Sequence, residues 1–451
     1  MSVVPGDIDT DGGPPMTVPL RHFVVAVAFL VGGALIAVVD AVVGFQGIAS
    51  LAHVHLLLAG WVCITIMGAM TQFVPVWSGV SLYSRRLAAA QLWLVTAGLL
   101  GMAGSFLAGA LPWVHVFGTL AVAGFWTFAY NLGRTLARID DLDVTEAHFA
   151  FALGCFVLVT GLGFLLALDY AAPIFAGLPV TRSGAVGAHA TLAVFGAILT
   201  TVFGALYQLA TMFTQTELHG IDHHLQRVEA YGYPVGVLAL AGGRLVGNAA
   251  LARVGGLLVV AAVAGMAVLL ARRLVETQVA WTPMLSRYAV VALAMAGWSL
   301  LTVRVWLADP LARAARFGAP GAAHLLAVGI VGFVVLGTLY HVVPFIVWVH
   351  RYSDLLGFED VPMIDDLYDD RLAAADFTLL GTGTAALIAA DLGFGPDSLV
   401  ALAGGLVSLG AVAFAANLLG VLREHSPHSL RSVLTGRSAT DAEAGGREDA
   451  A

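Results

Sequence analysis

The sequence contains a long series of apolar runs, separated by short segments in which most of the charged residues lie. An α-helix rises 1.5 Å per residue, so about 20 apolar residues cross the hydrocarbon core of a bilayer. The runs therefore predict an all-α integral membrane protein with about twelve transmembrane helices. The predicted spans are 23–45, 52–77, 88–110, 113–133, 148–168, 185–210, 232–249, 252–271, 287–307, 321–349, 376–392 and 398–422.

The composition supports a chain that lies almost entirely in lipid. Apolar residues make up 59% of the 451 residues, and charged residues only 11%. A water-soluble domain carries about 25% charged residues, because its surface must be hydrated. The expected partner is therefore the lipid bilayer, and the net charge of −8 argues against nucleic acid as a ligand.

The two ends of the chain are polar and differ from the apolar part. Residues 1–20 form a predicted polar N-terminal tail, 21–424 the membrane domain, and 425–451 a charged tail of the kind that is disordered. Most of the arginines lie in the termini and in the loops on the same side as the termini, which indicates the cytoplasmic side. We expect a multi-pass protein of the plasma (cell) membrane with both termini in the cytoplasm.

The apolar runs contain an internal repeat. Counting from His55 and from His324, a glycine follows after five and after thirteen residues, and a proline after twenty. His189 is followed by a glycine after fifteen residues, as His53 is. The pattern predicts three pseudo-symmetric repeats of four helices each. Their predicted limits are 21–138, 146–272 and 287–423.

The repeat places four histidines at one depth, in the first turns of three predicted helices that enter the membrane from the outside. Ionisable groups inside a membrane are costly and are functional candidates by default. His53 and His55 lie about 200° apart around a helix, so one helix can serve two sites. A lone membrane histidine is more often a structural hydrogen-bonding residue. Four histidines in register with a repeat favour a metal or haem site instead.

The histidine helices and the segments that follow them resemble those of a known family. The segment His53-Val54-His55, the pair Val74-Pro75 and the exit Leu82-Tyr83-Ser84 are similar to subunit I of the haem–copper oxidases. The similarity is closest to the cbb-type cytochrome c oxidases and the related nitric oxide reductases. It implies a haem-binding protein of respiratory electron transfer, an oxidoreductase with oxygen or nitric oxide chemistry. Implied partners are a quinol or cytochrome electron donor and further subunits.

The resemblance also implies ligands. His55 and His324 match the axial ligands of a low-spin haem b, and bis-imidazole ligation suits electron transfer because it leaves iron no open position. His53 and His189 are the candidates for a second haem or a metal ion such as copper, since both accept imidazole.

The sequence departs from the family at the oxygen-reducing site. Ala322 occupies the position of a haem-ligating histidine, the seventh predicted helix lacks the copper-ligating histidines, and no catalytic residue is assigned. The arginine pair that binds the haem propionates is also missing; Arg182, Arg304, Arg313 and Arg316 are the available substitutes. One alternative is an NnrS-type haem–copper membrane protein of the nitric oxide response, whose second helix ends in a similar Val-Pro-x-Trp-x-Gly segment. The other is a cofactor-free transporter.

Overall fold

The structure, a computed structural model, describes residues 14–396 and 398–436, and over these residues the chain is helical with no strand. The helices are α1 (Thr17–Val42), α2 (Ala49–Ser78), α3 (Arg85–Leu107), α4 (Val114–Leu136), α5 (Val144–Leu168), α6 (Arg182–Thr214), α7 (Ile221–Val246), α8 (Ala249–Val275), α9 (Pro283–Ala308), α10 (Leu325–Arg351), α11 (Asp370–Asp391), α12 (Ser398–His425) and α13 (Leu430–Thr435).

Eleven of the described helices are long and apolar enough to cross a membrane. The prediction of an all-α, multi-pass membrane protein is thereby confirmed at this level. The exception among the long helices is α7, which has 26 residues but a polar first half. Most predicted spans match a helix to within a few residues at each end.

Helix α7 begins eleven residues before the predicted start of its span at 232, because ion pairs rather than apolar contacts hold its first turn. Asp222 is fully buried and lies 2.7 Å from Nε of Arg272 and 2.8 Å from Nη2 of Arg273. Both arginines belong to the last turn of α8. Hydropathy alone does not register a helix end that is stabilised in this way.

Helices that are adjacent in sequence pack against each other around the bundle, and α12 packs against α1. Three helices lie inside this arrangement. The most apolar windows of α2, α6 and α10 are 67%, 89% and 83% buried, whereas those of the other candidate spans are 33–56% buried. The three helices that carry the four candidate histidines are therefore the inner helices of the bundle.

Glycines allow the inner helices to approach their neighbours closely. A Cβ atom added at Gly68 would lie 2.6 Å from Cβ of His22, and one at Gly204 would lie 2.7 Å from Cβ of His148. The same contact occurs in the third part of the chain, where a Cβ at Gly337 would lie 3.1 Å from Cβ of Arg287. Small residues at helix interfaces favour this backbone approach in membranes.

Two buried polar clusters lie in the half of the bundle opposite the four candidate histidines. In the first, Glu229 accepts from the hydroxyl of Tyr207 (2.7 Å) and lies 3.0 Å from Nε2 of His148. In the second, Asp376 accepts from Arg287 and from the hydroxyl of Tyr340. Both carboxylates are buried. Each cluster therefore supplies the hydrogen bonds that lipid cannot supply to a charged group.

The C-terminal segment differs from the expected disordered tail of 425–451 in its first part. Residues 430–435 form helix α13, in which Val433 is fully buried. Its carbonyl oxygen accepts a 2.9 Å hydrogen bond from Nε of Arg21 in α1. The burial of the Val433 side chain and this hydrogen bond therefore hold residues 430–435 against the bundle. Residues 437–451, and residues 1–13 of the predicted N-terminal tail, lie outside the described residues.

Candidate functional site

All four predicted site histidines lie at the start of the inner helices, at one end of the bundle, which we call the histidine end. Each inner helix contains a π-helical segment of eight residues just after its histidine or histidines. The segments are Leu56–Cys63, Leu192–Leu199 and Leu325–Gly332. They begin three residues after both His53 and His189, and one residue after both His55 and His324. π-Helical segments are rare and occur frequently at functional sites.

The first pair consists of His55 on α2 and His189 on α6. Their ring centroids are 6.4 Å apart and the ring planes make an angle of 27°. Nδ1 of His55 donates to the carbonyl oxygen of Leu51 (2.7 Å), and Nδ1 of His189 donates to that of Val159 (2.9 Å). Both rings are half-buried.

A glycine makes room for one ring of this pair. A Cβ atom at Gly163 in α5 would lie only 2.8 Å from Cε1 of His189. Any larger residue would displace the imidazole. Gly163 and the carbonyl of Val159 belong to the same stretch of α5, so this stretch both orients the ring and leaves it space.

The second pair consists of His53 on α2 and His324 at the start of α10. The two imidazoles interact electrostatically but make no direct ring contact of the kind that joins His55 and His189. Nδ1 of His53 donates to the carbonyl oxygen of Gly33 (2.8 Å), and Nδ1 of His324 donates to Oδ2 of Asp391 (2.7 Å). Asp391 is the last residue of α11 and was not among the predicted site residues. Its only signal in the sequence is a carboxylate at the histidine end of an apolar span.

This arrangement differs from the predicted pairing, in which His55 belongs with His324 and His53 with His189. Because His53 and His55 point to different sides of α2, His55 faces α6 and His53 faces α1 and α10. The repeat identifies which histidines are equivalent, but equivalent residues need not be neighbours. Only the packing of the inner helices determines which rings meet.

The hydrogen bonds determine which nitrogen of each ring is available. A carbonyl or carboxylate oxygen can only accept, so Nδ1 of each ring carries the proton and Nε2 keeps its lone pair. Within the described part of the chain, no hydrogen bond involves Nε2 of these four histidines. Metal-ligating histidines usually have this arrangement, in which a backbone carbonyl or a carboxylate binds the other nitrogen.

The candidate donors come in pairs and not in larger groups. Over residues 14–396 and 398–436 no group of three or more His, Cys, Asp or Glu side chains is arranged to hold a metal ion. A zinc or copper site made of protein ligands needs at least three donors, whereas haem iron brings four nitrogens and needs only two axial ligands.

Three further histidines are placed differently. His148 is buried and its ring pairs with Glu229. His341 packs against the ring of Phe213, with ring centroids 4.4 Å apart. His219 is an exposed loop residue 2.9 Å from Glu276, and this pairing lowers the pKa of the Glu276 carboxyl group.

Comparison with known proteins does not extend the resemblance. No model of a known protein family matches the chain, and no curated protein is similar to it at a significant level.

Proposed function

We propose that this chain is a membrane protein that binds two haem groups, each between two imidazoles, and that it acts in electron transfer. His55 and His189 hold one haem, and His53 and His324 hold the other. The observation that carries this proposal is the hydrogen bonding of the four rings. Each Nδ1 is bonded to an oxygen, and among residues 14–396 and 398–436 no hydrogen bond is made to any of the four Nε2 atoms. The donors come in pairs, which suits haem iron.

The proposed architecture is twelve transmembrane helices in three repeats of four. Each repeat supplies one inner helix, and α7 is the twelfth span, with its polar first half at the end of the bundle opposite the histidine end. The recurring π-helical segments and glycine contacts support this arrangement. So does the match of sequence offsets among the inner helices.

The three-repeat architecture explains the pairing of the histidines. Each inner helix has two candidate positions, two residues apart, and at each junction the second position of one repeat faces the first position of the next. The first positions are occupied by His53, His189 and Ala322, and the second positions by His55, Thr191 and His324. Two junctions therefore hold a histidine pair, and the third holds Thr191 and Ala322.

The paired ligation indicates the chemistry. Bis-imidazole haem supports one-electron transfer and offers no open coordination position to oxygen or nitric oxide. His53 and His55 are two residues apart on α2, so the two sites share one inner helix. We propose that electrons from a quinol or a cytochrome pass through these sites, in the plasma membrane, with both termini in the cytoplasm and the histidine end outside.

The resemblance to cbb-type oxidases supports haem binding but not the full oxidase reaction. Ala322 lies at the junction where the resemblance would require a histidine, and it is completely buried. A role in the nitric oxide response is the alternative within the same scaffold. A haem that changes its absorbance spectrum when nitric oxide or carbon monoxide is added to the reduced protein would favour that alternative.

The test of the proposed function is the haem content of the purified protein. We expect a pyridine haemochrome assay to give two b-type haems per chain, and metal analysis to give iron in the same ratio with no stoichiometric copper. The reduced protein should show the absorbance bands of six-coordinate low-spin haem and no change with carbon monoxide. A protein that is purified folded from haem-replete cells and contains no haem would contradict the proposal.

A further inference from the structure

A pocket at the histidine end contains three arginines and no carboxylate. It has a volume of about 190 Å³ and lies between the start of α6, the end of α7 and the loop that follows α9. We call it the arginine pocket and define it by Arg244, Arg313, Arg316, Thr181 and Ser183. Since water takes up about 30 Å³, the pocket has room for roughly six waters, or for a group of the size of phosphate or a carboxylate.

Arg244 forms the floor of the pocket and is almost completely buried. Its guanidinium group donates to the carbonyl oxygens of Pro310, Ala315 and Arg316, and to Oγ1 of Thr191. These partners satisfy its hydrogen bonds but do not neutralise its charge. A buried charge without a counter-ion is costly, so the environment of Arg244 favours an anion.

The other two arginines add charge that the protein also leaves unneutralised. Arg316 is half-buried and Arg313 is exposed at the mouth of the pocket. Burial, and then the charge of Arg313, lowers the pKa of Arg316 from its ordinary value. The ion pairs formed among residues 14–396 and 398–436 include none of these three arginines. The first turn of α6 adds backbone N–H groups and the positive end of a 33-residue helix.

We propose that the arginine pocket binds a small oxyanion, of the phosphate or carboxylate class, from the solution at the histidine end. Arginine binds both classes through paired N–H groups. None of the residues that line the pocket comes from α2, which carries His53 and His55. The inference concerns a different site from the two proposed haem sites, and its test does not depend on bound haem.

The test is titration of the purified protein with inorganic phosphate, and separately with acetate, at constant ionic strength with chloride as the balancing anion. Binding is followed by calorimetry and by tryptophan fluorescence, since the guanidinium of Arg244 lies 5.2 Å from the ring centre of Trp306. We expect saturable binding of at least one of the two anions. Removal of one charged donor should weaken it about tenfold or more in Arg313→Ala and in Arg316→Ala.

The matched control is Arg253→Ala. Arg253 lies at the same end of the bundle and donates to the carbonyl oxygens of Leu307 and Ala308, outside the pocket. The Arg253→Ala variant should therefore bind the anion with unchanged affinity. Any of the following results would overturn the proposal: no saturable binding of either anion, equal affinity in all three variants, or binding only after haem has been extracted. The last would show that the pocket holds a haem propionate. A co-purifying phospholipid that blocks the pocket and is retained by the wild type but not by Arg316→Ala would also overturn it.

Discussion

The double variant His53→Ala/His55→Ala is expected to lose the low-spin haem signal completely. The two side chains belong to one helix, and in the proposed arrangement His53 pairs with His324 and His55 with His189. Removing both therefore leaves each proposed haem with one protein ligand. A single imidazole leaves iron with an open position and converts it from the low-spin, six-coordinate state. Electron paramagnetic resonance of the oxidised protein, together with the haemochrome assay, measures this loss.

The control for this variant is His115→Ala. His115 lies near the start of α4 at the same end of the bundle, and no contact joins it to another histidine in the part of the chain that the structure describes. The His115→Ala variant should retain the full low-spin signal. Size-exclusion profiles of both variants establish that they are folded. An unchanged low-spin signal in a folded His53→Ala/His55→Ala protein would exclude both proposed haem sites.

The second large effect concerns the buried ion pair between Arg287 and Asp376. Replacing Asp376 by alanine is expected to reduce the free energy of unfolding by about 3–5 kcal/mol, because it leaves a buried guanidinium without its partner. The loss includes the hydrogen bond that Asp376 accepts from Tyr340, whose ring also lies 4.4 Å from the guanidinium carbon of Arg287. Thermal unfolding of the detergent-solubilised protein measures the effect.

Two further variants test the physical reason for this loss. Replacing both partners by apolar residues, in Arg287→Met/Asp376→Leu, should recover most of the stability, because no charge is then left unpaired. Asp354→Ala, in an exposed loop, should change the free energy of unfolding by about 0.5 kcal/mol or less. If Asp376→Ala were no more destabilising than Asp354→Ala, the pair would not contribute to stability.

Hydropathy predicts the helices of this chain well because lipid imposes one requirement on each span, namely a sufficient length of apolar side chains. It fails where other forces define an element. The first half of α7 is polar and is held by Asp222 and its two arginine partners. Helix α13 is too short for any hydropathy signal and depends on one buried side chain and the hydrogen bond from Arg21.

The sequence identifies the four histidines as candidates but does not indicate which of them lie next to each other. The four histidines stand out because imidazoles at one depth of a membrane are unusual, and the sequence repeat relates them to each other. Which rings meet depends on the order of the inner helices around the bundle, which no local pattern records. For the same reason Asp391 was missed: it lies 67 residues from His324 in sequence, and only the packing of α11 against the start of α10 brings them together.

The buried polar clusters were equally out of reach of sequence patterns. Arg287 and Asp376 are 89 residues apart, and each alone looks like an ordinary charge near the end of a span. Glu229 lies in the polar half of α7, where a solvated residue is expected, and yet it is buried against His148 and Tyr207. Long-range pairing of this kind follows from the fold and cannot be assigned before it.

The pairing of the histidines is tested most directly by comparing two double variants, His55→Ala/His189→Ala and His55→Ala/His324→Ala. The first removes both ligands of one proposed haem and leaves the other pair intact, so it should keep about half of the low-spin signal. The single variant His55→Ala should keep the same fraction. The second removes one ligand from each pair and should lose the signal entirely. The opposite result, with half of the signal kept in His55→Ala/His324→Ala and none in His55→Ala/His189→Ala, would contradict the pairing of His55 with His189.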